Sequence, residues 1–202
     1  MIRYLALGDS YTIGEDVKNE ESFPFQLLYS KEGLNQSQGY LKIVATTGWT
    51  TSDLLEGIGK EKIVYGEWSF VTLLIGVNNQ YQGKPISLYE TEFKELLDYS
   101  INVMEGNPEK VIVVAIPDYG VTPFAKEMDR DKISNEINKY NHIAETMAKD
   151  AGAQWVDIYP LSLSAEKDTS YITTDQLHPS SFQYKLWMKE ILPHVNKIIS
   201  CE

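Results

Sequence analysis

The amino-acid sequence predicts an α/β protein: a three-layer α/β/α sandwich built on a five-stranded parallel sheet, with the flavodoxin-like strand order 2-1-3-4-5. Three observations lead there. Five strand-length runs of β-branched and aliphatic residues recur along the chain with little polar alternation, the pattern of strands buried on both faces. Longer segments of helical periodicity lie between them, and strands that alternate with helices are joined by parallel, right-handed crossovers. No internal repeat, low-complexity tract or Pro/Gly/Ser linker divides the 202 residues, so residues 1–202 read as one domain.

Taken in order, the first three runs are Ile2 to Leu7, Leu41 to Thr46 and Phe70 to Ile75. A helix is expected from Ser87, whose hydroxyl can cap the free N–H groups of a first turn. The series Leu88, Phe93, Leu96, Leu97, Ile101 and Met104 carries it to Gly106 and Pro108. The fourth run is Val111 to Ile116. After it, Ile133, Ile137, Tyr140, Ile143, Ala144 and Met147 share one face of a helix from about Arg130 to Asp150, ended by Gly152. The fifth run, Gln154 to Ile158, precedes a last helix that opens at Pro179 and Ser180 and contains Trp187, Ile191, Leu192, Ile198 and Ile199. Pro193 should kink or interrupt it.

A chain of this length buries about 70% of the surface its unfolded form exposes, so its core needs no metal or disulfide. The single cysteine, Cys201, has no partner within the chain, which permits a reducing compartment. With 18 Lys plus Arg against 29 Asp plus Glu, the formal charge of −11 repels phosphate backbones and anionic lipids and argues against a nucleic-acid partner. No stretch approaches the ~20 apolar residues of a membrane span. The N-terminal apolar run is too short for a signal peptide, so a cytoplasmic location is expected. Histidines and cysteines do not fall at ligand spacing, and no metal or cofactor is expected.

In open α/β sheets ligands bind outside the carboxyl ends of the strands. Three of those ends carry unusual segments: Gly8-Asp9-Ser10-Tyr11-Thr12, Thr47-Gly48-Trp49 and Gly76-Val77-Asn78-Asn79. A fourth, Asp175-Gln176-Leu177-His178-Pro179, sits just before the last helix. Each alone has a plainer explanation. Asp9 or Ser10 can cap a helix, Gly48 can be a loop glycine, Gly76 to Asn79 can be a turn, and His178 can be a cap or a surface histidine. Together they hold what acyl transfer needs: one nucleophile, one base, one orienting acid and several N–H donors.

The four segments resemble, in order, the four sequence blocks of the GDSL/SGNH hydrolases, named for their Ser, Gly, Asn and His, and the resemblance runs from residue 8 to residue 179. It implies the SGNH hydrolase fold and a carboxylic ester hydrolase that works through an acyl-enzyme. Ser10 would be the nucleophile, His178 its general base and Asp175 the group that fixes the histidine tautomer. The Ser10 and Gly48 N–H groups and the Asn78 side-chain amide would form the oxyanion hole. No Gly-x-Ser-x-Gly elbow of the α/β-hydrolases is present. Tyr11 departs from the fourth letter of the family name, and Asn79 stands where the family often has Asp; both bear on the substrate more than on the reaction.

Substrate-pocket candidates are Asp9, Trp49, Asn79, Tyr81, Asp118 and Tyr119, which neighbour the blocks or follow strand ends, with plain packing as the alternative. His142 and His194 are expected to be structural, and Glu15-Asp16 and Asp129-Arg130-Asp131 to be solvated surface. Nothing resembles a lipase lid or a long apolar channel, so the expected partner is a small or short-acyl ester. Thioesters, lysophospholipids and acetylated carbohydrates are alternatives on the same triad. A rival from another class is a flavodoxin-like module in which Gly8 to Gly14 cradles a phosphate; it leaves Asn78 and the Asp175–His178 pair without a role.

Overall fold

The computed structural model describes residues 1–200; Cys201 lies outside them. In chain order the elements are β1 (Arg3–Gly8), α1 (Ser10–Ile13), α2 (Phe23–Tyr29), β2 (Tyr40–Ala45), α3 (Thr51–Lys60), β3 (Phe70–Leu74), α4 (Val77–Tyr81), α5 (Ile86–Val103), β4 (Val111–Val114), α6 (Arg130–Ala151), β5 (Gln154–Val156), α7 (Tyr159–Ser162) and α8 (Ser181–Ser200). The strands form one five-stranded sheet in the order β2-β1-β3-β4-β5. Every pairing is parallel, with Arg3 opposite Tyr40, Tyr4 opposite Phe70, Val71 opposite Val111 and Ile112 opposite Gln154. Helices α2 and α8 pack together, and α3, α5 and α6 form the second helical layer. The predicted architecture and strand order are those observed.

Burial follows position in the sheet. Residues 70–74 and 111–114 of the central strands are wholly buried, and Leu5 and Leu7 of β1 have no exposed surface. Each such leucine contributes roughly 1.5–3 kcal/mol of gross burial free energy. The edge strands differ from the sequence expectation: β2 is half-exposed along most of its length, and β5 is only three residues long. An apolar run cannot reveal that it will stand at an edge. Among the described residues no helix is long and apolar enough to cross a membrane.

Three expectations about helices are corrected. Helix α5 starts at Ile86, with Pro85 in the capping position and no side-chain cap, so Ser87 lies inside the first turn and not at its cap. Its buried face is Tyr89, Phe93, Leu96, Leu97, Ser100 and Val103, with Leu88 and Ile101 only partly covered. Pro193 does not interrupt α8: the helix continues to Ser200, held on both sides of the proline by buried Ile191 and Val195. At the β4 end, a buried side-chain amide replaces ladder bonds, Asn141 accepting from Ile116 N–H at 2.7 Å and donating to Ile116 O at 2.9 Å.

Candidate active site

The site is built at the carboxyl edge of β1 and β3. Gly8 ends β1 where a Cβ would stand 2.1 Å from Thr12 Oγ1 and 2.4 Å from Leu74 O, so only glycine lets the chain turn there. Asp9 caps the single turn α1, its Oδ1 accepting from Tyr11 N–H at 3.0 Å. Ser10 thereby becomes the first helical residue, and its own N–H has no hydrogen-bond partner among the described residues. Asp9 has no exposed surface and its Oδ2 is unpartnered; burial pushes its carboxyl up to about 7, against the opposing pull of the Tyr11 N–H.

Ser10 Oγ lies 3.0 Å from His178 Nε2, and His178 Nδ1 lies 2.5 Å from Asp175 Oδ2. Three residues thus span 168 positions of sequence in one hydrogen-bonded line. The Asp175 carboxylate is held by several donors while staying partly exposed. Its Oδ1 accepts from the N–H groups of Leu177 and His178 at 2.8 and 2.9 Å and from the Thr173 hydroxyl at 2.8 Å. Partial burial raises the Asp175 pKa, but the hydrogen bonds from the His178 ring and from these donors outweigh it and bring it down to about 2. The turn itself is closed by Thr173 N–H donating to His178 O at 2.8 Å.

The pair Glu15-Asp16 lies at the surface, as expected, and there also bridges the blocks. Asp16 Oδ2 accepts from the Thr174 hydroxyl at 3.0 Å and from Asp175 N–H at 3.1 Å, while Glu15 accepts from the Thr47 hydroxyl. Asp16 adopts φ +60°, a left-handed conformation that Asp tolerates better than most residues. Asp129 likewise caps α6 through Lys132 N–H, and Arg130 Nε donates to Gly120 O. Neither acidic segment reveals its role locally, because the partners are remote or main-chain.

On the opposite side stand the other donors. Gly48 is exposed at φ +82°, and its N–H has no partner among the described residues. Asn78 uses one amide hydrogen on Trp49 O at 2.9 Å and leaves the second unused. A cavity of about 110 Å³ opens on Ser10, Asn78 and His178, walled by Tyr11, Val77, Tyr81, Tyr119 and Leu177; Gly48 does not line it.

Of the pocket candidates, Tyr81 and Tyr119 face this cavity, and the remaining four do not. Asp9 lies beneath the turn as the α1 cap. Trp49 packs its ring against Gly57. Asn79 is fully buried, accepting from Thr51 N–H at 3.0 Å and donating to Thr51 Oγ1 at 2.7 Å, so it ties α4 to the start of α3. Asp118 is buried too, its oxygens taken by Gly120 N–H and by the Tyr159 hydroxyl. Sequence reasoning does not place Val77 and Leu177 in the lining; both are neighbours of block residues, the one available signal. His194 sits elsewhere, bonded to Gln154 Oε1 at 2.8 Å, and His142 is on the exposed face of α6.

A family model described as GDSL-like lipase/acylhydrolase matches residues 6–186. No curated protein matches the chain. Among solved structures, the fold is similar to a lipase/acylhydrolase from Enterococcus faecalis, with TM-score 0.71, 20% identity and 98% and 96% of the two chains covered. A psychrotrophic esterase from Pseudoalteromonas sp. matches with TM-score 0.68 and 18% identity over 99% of this chain and 100% of that one. An acetylxylan esterase from Geobacillus stearothermophilus matches with TM-score 0.65 and 16% identity over 96% and 94%.

Proposed function

The chain belongs to the GDSL-like lipase/acylhydrolase family and is a carboxylic ester hydrolase; on that premise we propose that it cleaves short-acyl esters through Ser10, His178 and Asp175. The observation that carries this is the unbroken line from Ser10 Oγ through both imidazole nitrogens to Asp175 Oδ2. Ser10 Oγ attacks the ester carbonyl carbon as its proton passes to His178 Nε2. Asp175, ionised far below neutral pH, holds the Nδ1–H and stabilises the imidazolium. The negative charge on the former carbonyl oxygen is met by donors that the protein does not use internally: Ser10 N–H, Gly48 N–H and the second Asn78 amide hydrogen. The Nε2 proton then goes to the departing alkoxide, leaving an acyl-Ser10. A water deprotonated by His178 attacks that ester, and Ser10 leaves with the proton returned.

The acyl preference rests on size. The cavity of about 110 Å³ holds the volume of roughly three to four water molecules, room for a few acyl carbons. The small volume also favours a second substrate form, an acetylated carbohydrate, in keeping with the similarity to an acetylxylan esterase. The test is hydrolysis of 4-nitrophenyl esters of rising acyl length, with Ser10→Ala as the control. The expected profile has its kcat/KM maximum at acetyl to butyryl and disappears in the variant. A maximum at long chains, or turnover that survives Ser10→Ala, overturns the proposal.

A further inference from the structure

We infer, resting on the triad proposed above, that the cavity beside the Ser10 pocket binds an anionic group on the alcohol portion of the substrate, so that the preferred esters are short acyl esters of carboxylated or phosphorylated alcohols. This second cavity is about 650 Å³, within the range of small-molecule sites. It lies along α4, residues 83–86 and the first half of α6. Tyr81 and Tyr119 line both cavities, their rings meeting edge-on at 6.0 Å as a partition between them. A substrate whose carbonyl rests against Ser10 therefore has one arm in the small cavity and the other past the two tyrosines.

Chemistry decides which arm goes where. Lys84, Lys132, Lys139, Asp129 and Glu136 all line the larger cavity. Ile86, Met128 and Ile133 also line the cavity, but a hydrocarbon chain laid along its lysine side would strip water from ammonium groups and return no hydrogen bond. The acyl arm belongs in the small cavity and the polar alcohol arm in the large one. Both carboxylates are already engaged: Asp129 with Lys132 N–H at 3.0 Å, and Glu136 with Gln80 Nε2 at 2.8 Å and more distantly with Lys132 Nζ at 3.9 Å. Lys84 and Lys139 have no ion-pair or hydrogen-bond partner for their ammonium groups among the described residues, although Lys84 acts at longer range on Asp53. Three lysines against two carboxylates leave the cavity lining with a net charge of +1, in a chain of formal charge −11.

The frame is ordered. Lys84 N–H donates to the carbonyl of buried Asn79 at 2.8 Å, and the Tyr140 hydroxyl donates to Lys84 O at 3.4 Å, so the main chain at Lys84 is held from both sides. The Tyr119 hydroxyl donates to Gln80 Oε1 at 2.8 Å, which links the partition to the Gln80–Glu136 pair on the cavity floor. A carboxylate or phosphate placed there would be met by Lys84 and Lys139.

The test compares acetyl esters of glycerol, glycerate and glycerol 3-phosphate, reading acetate release in wild-type protein and in Lys84→Gln/Lys139→Gln. Exposed ion pairs are each worth up to a few-fold, so KM for the anionic esters should be roughly 5- to 20-fold below that for acetyl glycerol, with the gap closing in the double variant and at high salt. Free glycerate and glycerol 3-phosphate should compete in the same order. A gap for only one anion supports the site and identifies the group it takes. Equal KM values for all three esters, or a gap that survives the double variant, overturns this inference while leaving the triad standing. Absence of Ser10-dependent turnover on every ester overturns the triad itself.

Discussion

The two halves of the site treat their polar groups in opposite ways. In the Asp175–His178 turn both carboxylate oxygens and the N–H of Asp175 are bonded: one oxygen accepts three hydrogen bonds, the other faces the imidazole, and the N–H is held by Asp16. Around Ser10 the groups are left open. The Ser10 and Gly48 N–H groups and one Asn78 hydrogen have no acceptor among the described residues, and Asp9 Oδ2 is buried without a partner. Orientation of a base demands redundancy, because an imidazole that swings by an ångström loses its proton acceptor geometry. Stabilisation of a developing oxyanion demands the reverse, because a donor already satisfied by the protein has nothing to offer.

The comparison predicts a graded set of losses. His178→Ala removes the member on which both halves depend, and kcat should fall on the order of 10⁴- to 10⁶-fold in ester hydrolysis; a residual rate near wild type would break the scheme at its centre. Asn78→Ala takes one donor from the open half and should lower kcat by about 10²- to 10³-fold with little change in KM. Unchanged turnover in that variant would remove Asn78 from the oxyanion hole.

Asp16→Gly preserves the left-handed backbone but deletes both hydrogen bonds to the acid loop. We expect about a 10-fold loss in kcat, from hydrogen bonds worth roughly 0.5–1.5 kcal/mol each. Asp16→Asn, which keeps an acceptor, should recover most of it; equal losses in the two variants would show that charge, and not the tether, matters. Gly48→Ala meets no steric obstacle, since nothing lies within 4 Å of the added Cβ, but φ +82° disfavours it by about 1–2 kcal/mol. The expected result is roughly a 5- to 10-fold lower kcat with Tm lower by about 2–8 °C, and a much larger fall in Tm would show the loop to be structurally demanding instead.

Asp9 gives the most specific effect, on stability and not on turnover. Its folded-state pKa of about 7 lies above the ordinary 3.8, so between about pH 4 and 7 the folded protein binds more protons than the unfolded chain and stability falls as pH rises. Asp9→Asn cannot ionise; it should flatten that slope and raise Tm above about pH 7, by at most about 4 kcal/mol of stability. Parallel Tm curves for the two proteins across the range would contradict the buried, unpaired state of Oδ2.

Much of the fold, and the placing of the four blocks at one edge of the sheet, is legible in the amino-acid sequence. The central strands announce themselves because both their faces are covered, and the four blocks because acyl transfer needs residue types that rarely coincide by packing alone. Asparagine and aspartate are the least legible. Asp9, Asn79, Asn78 and Asp118 look alike in sequence, yet one caps a helix, one clamps Thr51, one faces the cavity and one joins Gly120 to Tyr159. The difference is tertiary. Asp16 is opaque for the same reason: its partner Asp175 is 159 residues away. Ser87 misleads because a serine inside a first turn looks in sequence like one that caps it.

The most direct measurement is the mass of the intact protein after exposure to a fluorophosphonate, with the modified residue located by peptide mapping. Attack by an activated serine predicts one stoichiometric adduct on Ser10, absent in Ser10→Ala and formed far more slowly in His178→Ala. Ester turnover without an adduct on Ser10, or an adduct formed equally fast without His178, would contradict it.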